Sequence, residues 1–281
     1  MSRVLLTGAT GFIGSHAREA LEGRGHEVHA VTADLLDPRA AEEVMRAVQP
    51  THLLHLAWYA VPGKFWTAPE NKGWVDATLR LLRAFYAAGG QRAVGAGTCA
   101  EYDWSGDGLM SETTTPVRPA TLYGQAKAQT FEAGAALGEL AWGRIFFLYG
   151  PREHPDRLVS SVARRLLAGE EAPTSDGTQV RDFMHVADVA GAFAALLDSG
   201  VTGAVNIGSG VAVTVREVVD QVGRAAGRPE LLRPGSLPLR EGEPPRLVAE
   251  VRRLREEVGF EPRYDLESGI KDTVDYWRKR D

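Results

Sequence analysis

The chain has 281 residues, of which 44% are hydrophobic and 25% charged, and its formal net charge is −5. These values are typical of a globular protein with a large core, and without a basic run we expect no nucleic-acid partner. A single cysteine excludes an internal disulfide and a cysteine-rich metal site, and the chain has neither a signal-like leader nor a membrane-length apolar run, so we expect a cytoplasmic protein with no membrane partner and no metal site.

The first predicted strand, residues 4–7, breaks into a loop with glycines at positions 8, 11 and 14, and a helix follows. In such a unit Gly8 permits the tight turn, Gly11 lets backbone approach a pyrophosphate, and Gly14 lets the helix pack closely on the strand. The start of the helix then offers N–H groups and the positive end of its dipole to phosphates. We therefore predict a dinucleotide site, with an ordinary strand–turn–helix as the alternative.

Strands and helices alternate through the first half of the chain. Strands are predicted over 26–32, 52–57, 93–97 and 141–148, and helices over 38–48, 74–88 and 120–137. A loop over 58–73 is rich in proline, glycine and tryptophan, and its aromatic residues are placed to border a site. This alternation predicts an α/β fold with a Rossmann-like, doubly wound parallel sheet and ligands beyond the carboxyl ends of the strands.

Gly150 and Pro151 mark a change to shorter segments that are richer in proline, glycine and arginine. Helices are predicted over 159–167, 186–197, 216–226, 248–258 and 267–280, and a strand over 204–207. We therefore predict a dinucleotide-binding lobe over 1–150, to which 176–210 partly returns. A smaller α/β substrate lobe is predicted over 151–175 and 211–281.

Tyr123 and Lys127 are spaced i, i+4 on a predicted helix, so their side chains share one face. A lysine ammonium beside a phenol favours the phenolate and lowers the tyrosine pKa, which suits proton transfer near neutral pH. Thr98 follows a strand of small residues, where its hydroxyl is placed to bind a substrate oxygen. A surface Tyr–Lys pair, and a threonine bonded to local backbone, are the alternatives that spacing alone leaves open.

Together these motifs resemble the extended short-chain dehydrogenase/reductase family, in its nucleotide-sugar epimerase/dehydratase branch. The resemblance covers almost the whole chain, through residues 7–14, 55–57, Thr98, 123–127, 144–151, 181–189 and 206–210. It implies that Tyr123 is the general acid or base, that Lys127 binds the nicotinamide ribose, and that Thr98 orients the reacting oxygen. It also implies cofactor contacts, which are Gly8, Thr10, Gly11, Phe12, Ile13, Gly14, Thr32, Asp34, Leu35, Leu56, Ala57 and Lys127.

The resemblance further implies that Arg181 and Arg240 bind the diphosphate of a nucleotide-sugar substrate. The planar guanidinium fork suits a diphosphate because it forms paired, charge-assisted hydrogen bonds. Thr98, Tyr123 and Phe147 are the other expected substrate contacts. For each arginine a surface salt bridge is the alternative.

The segment after the second predicted strand does not decide between NAD(H) and NADP(H) as the cofactor. Asp34 lies 20 residues after Gly14, the generic distance for an acidic residue on the adenine ribose of NAD. The strand ends at Thr32, however, where an NAD-specific member of the family carries Asp, and the pair Asp34–Leu35 then resembles a later family pair beside the adenine. Since Thr32 would not repel a 2′-phosphate, we expect NADP(H) or NAD(H) and favour NADP(H).

At some positions the sequence differs from the family pattern, and these differences help to decide which of the family's reactions it catalyses. Sugar-nucleotide dehydratases carry an Asp–Glu pair directly after the threonine, whereas this chain has Cys99 and Ala100, and Glu101 would face the other side of a strand. We therefore disfavour a dehydratase and expect Cys99 to be a buried small hydrophobe. Phe147 stands where epimerases often have Asn.

Residues 97–102 resemble instead enzymes that reduce dTDP-4-keto-6-deoxyhexoses, and relatives that make CDP-linked deoxysugars. We therefore expect NAD(P)H-dependent reduction of the C4 ketone of a dTDP-, CDP- or GDP-linked 4-keto-6-deoxy sugar. A nucleotide-sugar 4-epimerase that uses the same Thr–Tyr–Lys set is the alternative. A catalytically silent nucleotide-binding module is the third possibility.

The two long helices predicted over 74–88 and 120–137 resemble those that pair into a four-helix bundle in family dimers. An apolar stripe for such a bundle is available from Leu79, Leu82, Phe85 and Tyr86. We therefore expect a homodimer, with packing inside one chain as the alternative.

Overall fold

The computed structural model describes residues 2–239 and 242–280. Its strands are β1 (Arg3–Thr7), β2 (Glu27–Ala30), β3 (His52–His55), β4 (Arg92–Thr98), β5 (Leu140–Ile145), β6 (Phe147–Tyr149), β7 (Ala172–Pro173), β8 (Val180–His185), β9 (Gly203–Ile207), β10 (Ala212–Thr214), β11 (Leu232–Arg233) and β12 (Arg246–Leu247). Its α-helices are α1 (Phe12–Gly23), α2 (Ala40–Val48), α3 (Glu70–Ala87), α4 (Leu122–Ala135), α5 (Leu158–Leu167), α6 (Val186–Asp198), α7 (Val215–Ala226) and α8 (Leu266–Arg278).

A six-stranded parallel sheet, in the order β2-β1-β3-β4-β5-β9, lies at the centre of the fold. Both of its faces are covered, because neighbouring residues of β1 belong to different cores. Leu6 packs in a core that includes residues of α1 and α6, whereas Leu5 packs in a core that includes residues of α2 and α3. Strands buried on both faces are continuous apolar runs, as β1 and β4 are. The predicted α/β, Rossmann-like class is confirmed.

Two predicted elements are wrong. The apolar run 141–148 is not one strand, because Phe146 N–H donates to Ile207 O at 3.0 Å and the chain then leaves the central sheet; β6 pairs with β8 instead. The helix over 248–258 is absent, because the backbone of Met110 bonds to Val248 O and to the N–H of Glu250 and so holds the segment extended. Only Arg253–Glu257 forms a π-helical turn there.

A further hydrophobic core lies between α5, α7 and α8, and includes Val162, Val218 and Val274. β8 is central to a four-stranded sheet with β10, β12 and β6. The boundaries predicted for the two lobes stay a prediction. None of the helices in the described ranges combines the length and the apolar character that crossing a membrane requires.

The apolar stripe predicted for a dimer faces the protein's own interior. Leu82 and Phe85 are 2% and 0% exposed and pack in the core beneath the central sheet, and Leu79 packs between α3 and α4. Tyr86 donates its hydroxyl to Glu139 O at 2.8 Å within the same chain. The prediction that this stripe forms the dimer contact is therefore wrong, because helix periodicity indicates that a face is buried but not which element buries it. The homodimer itself stays a prediction.

Replacing Gly14 with alanine tests the close packing of α1 on the glycine loop. A Cβ at this position would lie 1.9 Å from Gly8 O, so backbone must shift. We expect Gly14→Ala to lower the free energy of unfolding by about 1–3 kcal/mol, the usual cost of overpacking, in a urea titration. Gly23→Ala, at the other end of the same helix, meets no atom within 4 Å and should not destabilise the fold. Equal effects of the two changes would contradict the packing argument.

Candidate functional site

The glycine loop between β1 and α1 has the geometry of a phosphate cradle. Gly8 has φ of +69°, which favours glycine, and the N–H of Gly11 donates to Gly8 O at 2.9 Å. Helix α1 begins at Phe12 without a side-chain cap and without an acidic residue in its first turn. The positive end of this helix is thus available to an anion, and the loop fits the pyrophosphate of a dinucleotide.

The end of β3 adjoins this loop. The N–H groups of Leu56 and Ala57 donate to Thr7 Oγ1 at 3.2 and 3.1 Å, and a Cβ on Gly8 would lie 2.8 Å from Ala57 N. The His55 ring bonds to Thr7 and to Thr78, and burial lowers the pKa of His55 to about 3. His55 is therefore neutral and adds no charge beside the loop. Two of the predicted cofactor residues are brought next to the glycines.

The residues predicted to face the adenine follow β2. Thr32 and Asp34 are exposed beyond the end of this strand, and one Asp34 carboxylate oxygen accepts the N–H of Leu36 at 3.0 Å. Leu35 instead turns into the core, with 6% of its surface exposed. Contact of these three residues with a cofactor stays a prediction.

Thr98, Tyr123 and Lys127 come together where β4 ends. A Cβ on Gly124 would lie 2.2 Å from Ala100 O, so this glycine lets α4 approach the turn that follows Thr98. The hydroxyl of Thr98 lies near the Tyr123 phenol, close enough to lower the pKa of that phenol. The spacing of Tyr123 and Lys127 therefore places both on the face of α4 that meets the strand, and not in a surface pair.

Lys127 is only 3% exposed, and its ammonium donates to Ala96 O at 2.7 Å. Burial lowers the pKa of Lys127 to about 7, while the negative charge of Glu101 opposes that shift. The ammonium lies 3.8 Å from the centroid of the Trp58 ring and 5.9 Å from that of Tyr123. The aromatic ring nearest to the Lys127 ammonium is therefore that of Trp58 and not that of Tyr123.

The expectation that Lys127 lowers the pKa of Tyr123 is not met in this structure. Desolvation and the charge of Glu101 raise the pKa of the Tyr123 phenol, and the nearby Thr98 hydroxyl offsets this only in part. The physical reason is that the ammonium is held at Ala96 O and under Trp58 and is itself only partly charged near neutral pH. Tyr123 is a protonated phenol here.

Glu101 anchors the turn after β4, a role that the sequence did not reveal. It lies on a 3-10 turn (Cys99–Glu101), with its carboxylate fully buried and paired to Arg144 at 2.7 Å. The same carboxylate accepts the N–H of Thr98 and the indole N–H of Trp142, each at 2.9 Å. Cys99, as expected, is buried in the core, and burial raises the pKa of its thiol to about 12.

Aromatic residues of the loop before α3 form a wall beside Tyr123. The ring centroids of Phe65 and Trp66 lie 4.9 and 5.9 Å from that of Tyr123, both in edge-to-face geometry. The N–H of Tyr123 also donates to Trp66 O at 3.1 Å. Asn71, fully buried, fixes this loop through bonds to the carbonyls of Phe65 and Ala68. The loop aromatics thus border the catalytic candidate.

A cavity of about 460 Å³ has Phe147, Arg157 and Arg181 among its lining residues. Arg157 lies 5.8 Å from the Phe65 ring, which links the cavity to Tyr123. Arg181 is 1% exposed and pairs with Glu243 at 2.8 Å, 5.3 Å from the Phe147 ring. The arginine end of this ion pair is therefore buried, whereas the Glu243 side chain is 29% exposed. Arg240 lies outside the described residues.

Glu153 is a buried carboxyl in this cavity that the sequence did not single out. It accepts the N–H and the hydroxyl of Ser160 at 3.2 and 2.8 Å, and so it caps the start of α5. Burial raises its pKa to about 7. Nothing in the spacing of Glu153 distinguishes it from a surface carboxylate, so only the fold reveals it.

Comparison with known proteins gives consistent matches. A profile of the family described as NAD dependent epimerase/dehydratase matches residues 4–208. A UDP-glucose 4-epimerase of Rhizobium leguminosarum bv. trifolii is 30% identical, over 98% of this chain and 97% of that protein.

Two solved structures are also similar over nearly the whole of both chains. The UDP-glucose 4-epimerase of Thermotoga maritima with UDP-glucose is 25% identical with a TM-score of 0.89, over 99% of each chain. The Thermus thermophilus UDP-glucose 4-epimerase in complex with NAD is 31% identical with a TM-score of 0.83, over 98% of this chain and 99% of that one.

Replacing Glu101 with glutamine tests the buried ion pair. The change leaves the Arg144 guanidinium buried without its counter-charge, so we expect the free energy of unfolding to fall by about 3–5 kcal/mol. Chemical denaturation followed by circular dichroism measures this loss. The exposed pair Arg216–Asp220 is the control, because Asp220→Asn should cost less than about 1 kcal/mol. A loss at Glu101 as small as that at Asp220 would contradict the anchoring role.

Proposed function

Since the chain belongs to the NAD dependent epimerase/dehydratase family of the extended short-chain dehydrogenases/reductases, we propose that it is an NAD-dependent 4-epimerase of a nucleotide-linked hexose. The observation that carries this proposal is the convergence of Thr98, Tyr123 and Lys127 at the end of β4. The Phe65 ring contacts both Tyr123 and Arg157, and Arg157 lines a cavity together with the buried Arg181. The names of the similar proteins make UDP-glucose the first substrate to test.

In this proposal Tyr123 exchanges a proton with the C4 hydroxyl of the sugar, and Thr98 holds that oxygen in position. The raised pKa keeps the phenol protonated, so Tyr123 is a proton donor as it stands. To accept a proton it needs a nearby positive charge, which Lys127 supplies in its ammonium form. Arg181 binds the diphosphate and exchanges its carboxylate partner, Glu243, for phosphate oxygens.

The glycine loop, residues Leu56 and Ala57 at the end of β3, and Lys127 would hold the dinucleotide, which when bound supplies the hydride acceptor and donor. We propose NAD as that dinucleotide, because the family is NAD dependent and the Thermus relative was solved with NAD. The comparisons give no support to the preference for NADP(H) that Thr32 suggested. Asp34, exposed beyond β2, would also repel a 2′-phosphate that came near it.

Reduction of a 4-keto-6-deoxy sugar is the second candidate function. It is favoured by Phe147, an apolar residue that lines the cavity where epimerases often have Asn, and by the aromatic wall of Phe65 and Trp66. Such surfaces suit a sugar that carries a methyl group at C6. The similar proteins, which include several UDP-glucose 4-epimerases, support the epimerase better than this reductase.

One pair of assays separates the candidate functions. With UDP-glucose, the epimerase forms UDP-galactose, visible by proton NMR, without net change in the absorbance of the reduced nicotinamide. With a dTDP-4-keto-6-deoxyhexose, the reductase consumes added NADH or NADPH instead. A protein that binds NAD but catalyses neither reaction, with UDP-glucose or with other nucleotide-linked hexoses, would be the silent nucleotide-binding module, and the proposal would then be wrong.

Replacing Tyr123 with phenylalanine removes the proposed acid–base group and little else. We expect NAD binding to be retained and turnover to fall by about 10²–10⁴-fold, the usual contribution of general acid–base catalysis. Tyr276→Phe, on α8 and away from the site, is the matched control and should keep wild-type turnover. Turnover of Tyr123→Phe close to that of the control would overturn the assigned role.

A further inference from the structure

We propose that Trp58 is a positioning residue for Lys127: its indole face covers the ammonium, favours the charged form, and fixes the direction in which that charge points. Asn71 holds the indole in place. The proposal rests on the proposed function, in which Lys127 must be charged beside Tyr123. It adds a residue that neither the motifs of the chain nor its relatives' names identify.

The surroundings of Lys127 leave its charge in need of a partner. An ammonium has three N–H donors, and Lys127 has one hydrogen bond, to Ala96 O at 2.7 Å. Among the described residues it forms no ion pair, although it is only 3% exposed. A buried cation without a counter-ion tends to lose its proton. Among the described residues, the aromatic ring nearest to the ammonium is that of Trp58, at 3.8 Å, and its face carries negative electrostatic potential. The rings of Trp142 and Tyr123 are farther away, at 5.6 and 5.9 Å.

Trp58 is held rigidly enough to serve this purpose. Its indole N–H donates to Asn71 Oδ1 at 2.8 Å. Asn71 is fully buried, and its amide also bonds to two loop carbonyls, so it has no freedom to follow a moving partner. The ring of Trp74 lies 6.1 Å away on α3 and adds a second aromatic contact. The indole is thus fixed between the end of β3 and the first turn of α3, directly over α4.

Other titratable groups around Lys127 do not replace the indole. Glu101, on the turn after β4, favours the ammonium, but its carboxylate is already bonded to Arg144 and Trp142. His55, from β3, is neutral because burial lowers its pKa to about 3. Tyr123, on the same helix, is a protonated phenol with its ring centroid 5.9 Å away. Trp58 is therefore the contact whose removal should change the titration of Lys127.

The test compares Trp58→Phe, which keeps an aromatic face, with Trp58→Leu, which removes it. The chain has five lysines, and the other four, Lys64, Lys72, Lys271 and Lys279, are exposed. NMR titration of protein labelled with ¹³C at lysine Cε therefore isolates Lys127, and Lys127→Met assigns its signal. Should Trp58→Leu fail to fold, Trp58→Met takes its place as a flexible residue without a ring.

We expect the pKa of Lys127 to fall by about one unit in Trp58→Leu relative to Trp58→Phe, which corresponds to about 1.4 kcal/mol and lies within the range for a cation on a buried ring. Because Lys127 is charged below its pKa, the alkaline limb of the activity profile should move down in pH by the same amount. An equal pKa in the two variants would overturn the proposal.

The two readouts separate this proposal from the proposed function. A lowered pKa in Trp58→Leu, in a protein that lacks epimerase activity in its wild-type form, supports the positioning contact and overturns only the epimerase. An active wild-type enzyme whose Lys127 titrates identically in both variants overturns only the role of Trp58.

Discussion

The site depends on one buried carboxylate. Glu101 bonds to the N–H of Thr98, to the indole of Trp142 and to the guanidinium of Arg144, and these groups belong to β4 and β5. An ionised carboxylate survives in a protein interior only when its lone pairs are satisfied and its charge is matched. This set of bonds therefore fixes the sharp turn after β4, on which the position of Thr98 and the seat for α4 both depend.

The charge of the same carboxylate extends to the residues proposed for catalysis. It favours the ammonium of Lys127 and disfavours ionisation of Tyr123, so the two groups respond to it in opposite senses. Both effects favour the protonated forms of Lys127 and Tyr123. Glu101 thus connects the fold with the chemistry through its charge. The carboxylate that stabilises the turn after β4 also influences how readily Lys127 and Tyr123 exchange protons.

Much of the fold could be predicted from the sequence, because its signals are local. The glycines at 8, 11 and 14 follow a strand and precede a helix, and the structure has each of these elements in place. The i, i+4 spacing of Tyr123 and Lys127 likewise needs only a helix to bring them to one face. The wrong elements share a cause: the apolar patterns of 141–148 and 248–258 mark burial, and burial alone does not say where a strand changes sheets or whether a segment is extended.

The rest of the candidate site could not be predicted, because it is made by contacts between distant residues. Trp58 and Lys127 are 69 positions apart, and Glu101 and Arg144 are 43 apart. No spacing rule joins such pairs. Lys127 shows the consequence: its predicted effect on Tyr123 assumed a free ammonium beside the phenol, whereas the fold binds that ammonium to Ala96 O and covers it with an indole.

The most direct test of the central claim is a crystal structure of the wild-type protein with NAD and UDP-glucose. We expect the C4 hydroxyl of the sugar to lie within about 3 Å of the hydroxyls of Tyr123 and Thr98, the distance that proton transfer requires. We also expect the diphosphate to replace Glu243 as the partner of Arg181. A sugar ring bound away from Tyr123, with Arg181 still paired to Glu243, would contradict the claim.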